Sequence, residues 1–119
     1  MNKTGKINYI EIPTTDLELS KTFFADVFAW SFVDYGAEYT VINNAGLQGG
    51  FYQSDQTATT DNGSVLVVLY SDNLRQTLES VESAGGKIIK DIFSFPGGCR
   101  FHFSDPCGNE FAVWSESAN

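Results

Sequence analysis

The chain has one histidine, His102, and it stands in a stretch from Gly97 to Glu116, GGCRFHFSDPCGNEFAVWSE, whose alternation decides what chemistry it can do. Phe101 and Phe103 alternate with Arg100, His102 and Ser104, while Phe111 and Val113 alternate with Glu110, Ala112 and Trp114. Read as two strands with one apolar face each, the pattern sends Arg100, His102, Glu110, Ala112 and Trp114 to the opposite, uncovered face. Glu11, in the early run KINYIEIP, reads as facing an open side as well. Two carboxylates with one imidazole are a possible metal-ligand set, and His102 oriented by Glu11 would be a general base. His102 and Glu11 are therefore the catalytic candidates. Against both readings stands a plainer one, a solvated or hydrogen-bonded histidine, because a turn separates His102 from Glu110 and nothing local fixes Glu11 nearby.

The elements that must position these residues follow from the chain in order. Lys6 to Pro13 alternates as a strand, with Ile10 and Ile12 as the core pair. Thr14, Thr15 and Asp16 offer N-caps to a helix striped by Leu17, Ser20, Phe24 and Val27 and widened by Phe23 and Phe28. Runs at 29–35 and 38–43, parted by Gly36-Ala37, predict a hairpin, and 47–52 a further strand with Gly49-Gly50 inside it. Glycine within a strand marks a bulge or the close approach of another group. The polar stretch SDQTATTDNG, 54–63, reads as a linker. The pattern then restarts with a strand at 64–70, Asp72 as a cap, a helix stripe of Leu74, Leu78 and Val81 closing at Gly85-Gly86, a short strand at 87–91, and the terminal hairpin with Asp-Pro-Cys-Gly-Asn as its turn. Laying Leu17 on Leu74 superposes two copies of strand, helix and three strands: module 1 at about 6–53 and module 2 at about 64–116, within a single domain of 119 residues.

Composition narrows the partners. Fifteen acidic against seven basic residues leave a net charge of -8 with no basic cluster, which excludes nucleic acid and anionic membrane surfaces as favoured partners. No apolar run approaches a membrane span and no signal-like segment follows the N-terminal lysines, so a cytoplasmic location is expected. Cys99 and Cys107 sit at opposite ends of one extended strand at about 3.3 Å per residue, too far apart for a disulfide, and two reduced thiols are expected.

The order βαβββ repeated twice, with IEIPTTDLELSKTFFADVFAW at the front and FSDPCGNEFAVWSE at the back, resembles the vicinal oxygen chelate superfamily of glyoxalase I, bleomycin-resistance proteins and extradiol dioxygenases. The resemblance implies an α+β fold in which two βαβββ modules form a curved mixed sheet around a cup. In metal-dependent members, His and Glu side chains from the first and last strands of each module hold an ion that acts as a Lewis acid. Carried over by motif, those positions fall here on Tyr9, Gln48, Leu66 and Ala112. Leucine and alanine cannot ligate through their side chains, so neither metal nor other cofactor is expected.

The same resemblance frames a pocket: Leu66, Val68 and Ala112 as its floor, Trp114 and Tyr9 as walls, and Gln48, Glu11, Arg100 and His102 as its polar groups. Three functions compete. The first is a metal-free glyoxalase- or bleomycin-resistance-like protein binding a small organic molecule between its modules, as a homodimer. The second is a metal-dependent lyase, isomerase or dioxygenase with rearranged ligands. The third is a non-catalytic dimeric interaction module. If the chain is an enzyme, a glyoxalase-like lyase or isomerase is expected.

Overall fold

The computed structural model describes residues 2–117. The chain folds as two compact units that part between Thr57 and Ala58, inside the stretch expected to be a linker.

The first unit contains β1 (Tyr9–Thr14), α1 (Leu17–Phe28), β2 (Ser31–Asp34), β3 (Tyr39–Asn43) and β4 (Gln48–Gln53), with its sheet in the order β1-β4-β3-β2. β1 runs parallel to β4, and the other pairs are antiparallel. Asp16 caps α1 by accepting the Leu19 N–H at 3.1 Å. Leu17, Ser20, Phe23 and Phe24 then fall on one buried stripe. The helix stops at Ala29, held in the left-handed region at φ 60, and the reversal lays Trp30 flat on Phe24 with ring centroids 4.5 Å apart. Phe24 also touches Phe23 and Phe51, which makes it the centre of this unit's core. Ile12, Ile42 and Phe51 complete the helix-facing side of the sheet.

The second unit repeats the plan with β5 (Val67–Tyr70), α2 (Leu74–Ser83), β6 (Lys87–Phe95), β7 (Gly98–Ser104) and β8 (Glu110–Ser115), in the sheet order β5-β8-β7-β6. Its repeat signature is carried by hydroxyls and caps. Thr14 Oγ1 and Ser20 Oγ lie 2.7 Å apart in the first unit, and Ser71 Oγ and Thr77 Oγ1 lie 2.7 Å apart at the matching place in the second. The α2 cap is Asn73, which accepts the Gln76 N–H at 3.2 Å, and not Asp72 as expected. Asn73 is the counterpart of Asp16, and only that position aims its side-chain oxygen at the first turn.

Two strands differ in length from the expectation. β5 starts at Val67, leaving Leu66 just outside it. β6 runs on to Phe95, past the expected end at Asp91. Its pairing with β7 slips between Ile88 and Lys90 and again between Lys90 and Phe93, so a bulge breaks the two-residue alternation where a sequence reading sees the strand finish.

Gly49 marks a close approach. A Cβ there would lie 2.5 Å from the Ile10 carbonyl oxygen, a backbone atom of the paired strand that cannot swing aside. Gly49→Ala is therefore expected to force β1 from β4 and cost about 2 kcal/mol or more, measured by urea denaturation. A change within about 0.5 kcal/mol of wild type, the usual range for a surface substitution, would contradict the packing described.

Candidate functional site

The register of the second sheet sets side chains in rows across one face. Tyr70 pairs with Trp114, Trp114 with Arg100, and Arg100 with Phe93. In the next row Val68 pairs with Ala112, Ala112 with His102, and His102 with Lys90. Arg100, His102, Glu110, Ala112 and Trp114 therefore share one face, as the alternation predicts. That face is not uncovered, however. His102 is only 2% exposed and Glu110 8%, and Ala112 is fully buried.

Part of the cover comes from the segment expected to be a linker. Ala58 donates its N–H to Asn109 Oδ1 at 2.8 Å and accepts the Glu110 N–H at 2.8 Å. Thr60 donates both its N–H and its hydroxyl to Glu110 Oε1, each at 2.8 Å. The other oxygen, Oε2, meets His102 Nδ1 at 2.9 Å. The residues separated by a turn in sequence thus meet, because the register makes them diagonal neighbours on one face. Burial works against the Glu110 charge, yet the Thr60 N–H, the His102 ring and the Thr60 hydroxyl together hold its pKa below the ordinary value. An ionised carboxylate only accepts, so Nδ1 carries the proton. Nε2 is buried and has no hydrogen-bond partner among the described residues.

Arg100 sits one row away. Its guanidinium carbon lies 5.5 Å from the Phe93 ring centroid and 5.8 Å from that of Phe95, within cation–π reach of both. Its Nε is buried without a partner among the described residues. Trp114 packs against Tyr70 at 5.1 Å and Phe95 at 6.5 Å between centroids, so an aromatic row runs beside the guanidinium. Phe93, Phe95 and Thr60 were not among the expected site residues. The first two lie beyond the bulge in β6, although their own spacing up to Pro96-Gly97 is a strand signal. Thr60 lies in a segment without periodicity and gives no signal.

In the first unit, Tyr9, Glu11 and Gln48 stand on the sheet face opposite α1. Tyr39 donates to Glu11 Oε2 at 3.0 Å, and the Tyr9 and Tyr39 hydroxyls are 2.6 Å apart, so Tyr9 donates in turn to Tyr39. Burial, then the hydrogen bonds with Tyr9 and Glu11, push the Tyr39 hydroxyl pKa upward. Gly50 makes this possible, since a Cβ there would collide with the Tyr39 hydroxyl. Within its own unit Glu11 is bonded by Tyr39, and within the other His102 meets Glu110. Gln48 is exposed and lines, with residues from Ile42 to Leu47, a hollow of about 300 Å³ at the β3–β4 turn.

The metal positions implied by the resemblance do not form a donor set. The Tyr9 hydroxyl is engaged with Tyr39, Gln48 is neutral, and Leu66 and Ala112 offer no donor atom. Among the described residues, no three His, Cys, Asp or Glu side chains group to hold an ion. Among the described residues, neither Cys99 nor Cys107 is in a disulfide.

Two four-stranded mixed sheets, each reached through a single helix in the order βαβββ, define a protein of paired glyoxalase-like modules. The family model of the Glyoxalase/Bleomycin resistance protein/Dioxygenase superfamily matches residues 6–113, and the chain belongs to that superfamily. It is 29% identical to a glyoxylase-like domain-containing protein of Didymella fabae over 92% of each chain. Its fold is similar to that of a glyoxalase-related enzyme from Fulvimarina pelagi, with TM-score 0.77, 18% identity and coverage of 93% of this chain and 88% of the other. It is likewise similar to the fosfomycin resistance protein FosX of Listeria monocytogenes, with TM-score 0.77, 16% identity and coverage of 98% and 96%.

The turn between β7 and β8 supplies a titration. Asp105 Oδ1 accepts the N–H groups of Cys107 at 3.0 Å and Asn109 at 2.9 Å, while Oδ2 is buried with no partner among the described residues. Burial lifts this carboxyl from 3.8 to about 6, against the Asn109 and Cys107 N–H groups that favour its charge. The folded state therefore holds this proton more tightly than the unfolded chain. The resulting stability is complete below about pH 4 and is lost as pH rises through about 6, by about 3 kcal/mol. Asp105→Asn keeps the Oδ1 acceptor and removes the titration. The difference in urea-denaturation stability between wild type and Asp105→Asn is expected to change by about that amount between pH 4 and pH 7. A constant difference across the window would show that burial does not govern this carboxyl.

Proposed function

We propose that this chain is a glyoxalase/bleomycin-resistance-like protein that binds a small organic molecule without a metal at the family's positions. The observation that carries the reading is the chemistry of those positions, Tyr9, Gln48, Leu66 and Ala112, two of which are aliphatic. In the second unit the polar groups Arg100 and His102 stand beside aromatic rings, the usual make-up of a small-molecule site. Val68, Leu66 and Trp114 extend that apolar surface in the second unit, with Ala112 fully buried between Val68 and His102 in register, and Tyr9, Glu11 and Gln48 are the binding candidates of the first. His102 and Glu11 remain the candidates for acid–base chemistry, as a lyase or isomerase. Pairing with a second copy belongs to the same reading, supported by Val68, Tyr70, Ile89 and Phe93, large apolar side chains left exposed in the second unit. A cytoplasmic location also belongs to it; no helix among the described residues is long and apolar enough to cross a membrane.

A ligand that binds only the folded protein, at one hundred times its Kd, adds about 2.7 kcal/mol of stability. A thermal-shift screen of small aromatic and dicarbonyl compounds is therefore expected to find compounds that raise Tm by several degrees, equally with and without chelator. Stoichiometric metal in protein purified without chelator, or a hit abolished by chelation, would overturn the metal-free reading. Light scattering is expected to give the mass of two chains, and a monomer at micromolar concentration would remove the pairing.

A further inference from the structure

We infer that Arg100 and His102 form a site for a planar aromatic carboxylate that carries a ring hydroxyl, the guanidinium taking the carboxylate and His102 Nε2 accepting the hydroxyl proton. This rests on the small-molecule reading above and names its ligand class.

Three observations converge on it. First, Arg100 is a cation without a hydrogen-bond acceptor among the described residues. No carboxylate or carbonyl among the described residues takes a hydrogen bond from its guanidinium, and its Nε is buried. Buried polar groups are almost always bonded, and a guanidinium matches a carboxylate through two parallel N–H donors. The net charge of -8 makes anions poor general partners, so an anion bound here is chosen by this local group.

Second, His102 presents a complementary atom. With Nδ1–H committed to Glu110 at 2.9 Å, Nε2 is the ring atom left for a ligand, and in the Nδ1–H tautomer it carries a lone pair and accepts. Glu110 is itself held by Thr60 at 2.8 Å, so the tautomer is fixed from behind. The pair thus offers one cationic donor and one imidazole acceptor on alternate residues of β7, about 7 Å apart along the strand. A ligand that answers both needs an anionic group and an O–H on separate atoms of a rigid frame.

Third, the surroundings suit an aromatic frame. Phe93 and Phe95 hold the guanidinium from one side, and Trp114 with Tyr70 continues the row. Phe93 is 37% exposed and Tyr70 50%, so the row is open at both ends. Ala112, between Val68 and His102 in register, adds only a methyl group beside the imidazole.

The test compares 3-hydroxybenzoate, 3-methoxybenzoate, benzoate and phenol by calorimetry, with the imidazole followed by 15N NMR. Because His102 is the single histidine, its ring signals are unambiguous. The free protein is expected to show the Nδ1–H tautomer. 3-Hydroxybenzoate is expected to bind at least tenfold more tightly than 3-methoxybenzoate or phenol and to move the Nε2 resonance, while benzoate leaves that resonance in place. Arg100→Gln is expected to bring 3-hydroxybenzoate and phenol to equal affinity; should that variant not fold, the ligand series on the wild-type protein decides alone. Equal affinities across the series, binding of phenol but not of the acids, or an unmoved Nε2 at saturation would overturn this inference while leaving small-molecule binding intact. A protein that binds none of these four and gains stability from no compound in the broader screen would overturn both.

Discussion

A buried carboxylate organises the second unit. An isolated charge removed from water is costly unless donors replace the lost hydration, and Glu110 meets that demand with three of them, the Thr60 N–H and hydroxyl and the His102 ring. Each donor is constrained in return. Thr60 and its neighbours are pinned across β8, which turns a polar, glycine-ended stretch into part of the fold. His102 is confined to one tautomer and one ring orientation, with Phe93 tilted against it at 5.9 Å between centroids. The geometry of the candidate site is therefore a consequence of satisfying one charge, and the conformation of the 58–60 segment and the state of the imidazole are two sides of the same constraint.

The first unit solves a different problem with less charge. Its sheet face carries the chain Tyr9, Tyr39 and Glu11, and the ring of Tyr39 reaches its partners by crossing β4 at a residue that has no side chain. Gly49 and Gly50 act on opposite faces: one allows the paired strands to approach, the other lets an aromatic ring lie across the sheet. The two modules thus share hydroxyl bridges and helix caps but differ in what occupies the face away from the helix. A duplicated frame can hold two unrelated polar arrangements because its cores, centred on Phe24 in one unit and on Phe101, Phe103 and Phe111 in the other, are independent of that face.

The elements legible in the sequence are those set by local pattern. Asp16 followed by the Leu17, Ser20 and Phe24 stripe announces α1, and the strict alternation from Arg100 to Ser104 and from Glu110 to Trp114 announces β7, β8 and the residues sharing their faces. Gly49-Gly50 is legible as a close approach, though not as the approach of Tyr39. What escaped is what register and burial decide. Alternation states which face His102 occupies but not whether that face is covered. The meeting of His102 with Glu110 depends on which residues stand opposite each other across a hairpin. Thr60 finds its partner fifty residues away, and nothing in a run of small polar residues signals such a contact. The tail of β6 is not legible as a continuation of the strand because a bulge shifts its phase, which leaves Phe93 and Phe95 beyond the expected end at Asp91.

That irregularity in β6 has a consequence for how copies of this chain can meet. Neighbouring molecules extend a sheet only along a straight outer strand whose free N–H and C=O groups keep an even rhythm, and a strand whose pairing slips twice over a few residues breaks that rhythm. Lys87 and Lys90 place charge along the same border. Continuous sheet growth past this side of the second module is therefore disfavoured. It also means that a specific partner copy must approach through side chains rather than through the backbone of this outermost strand.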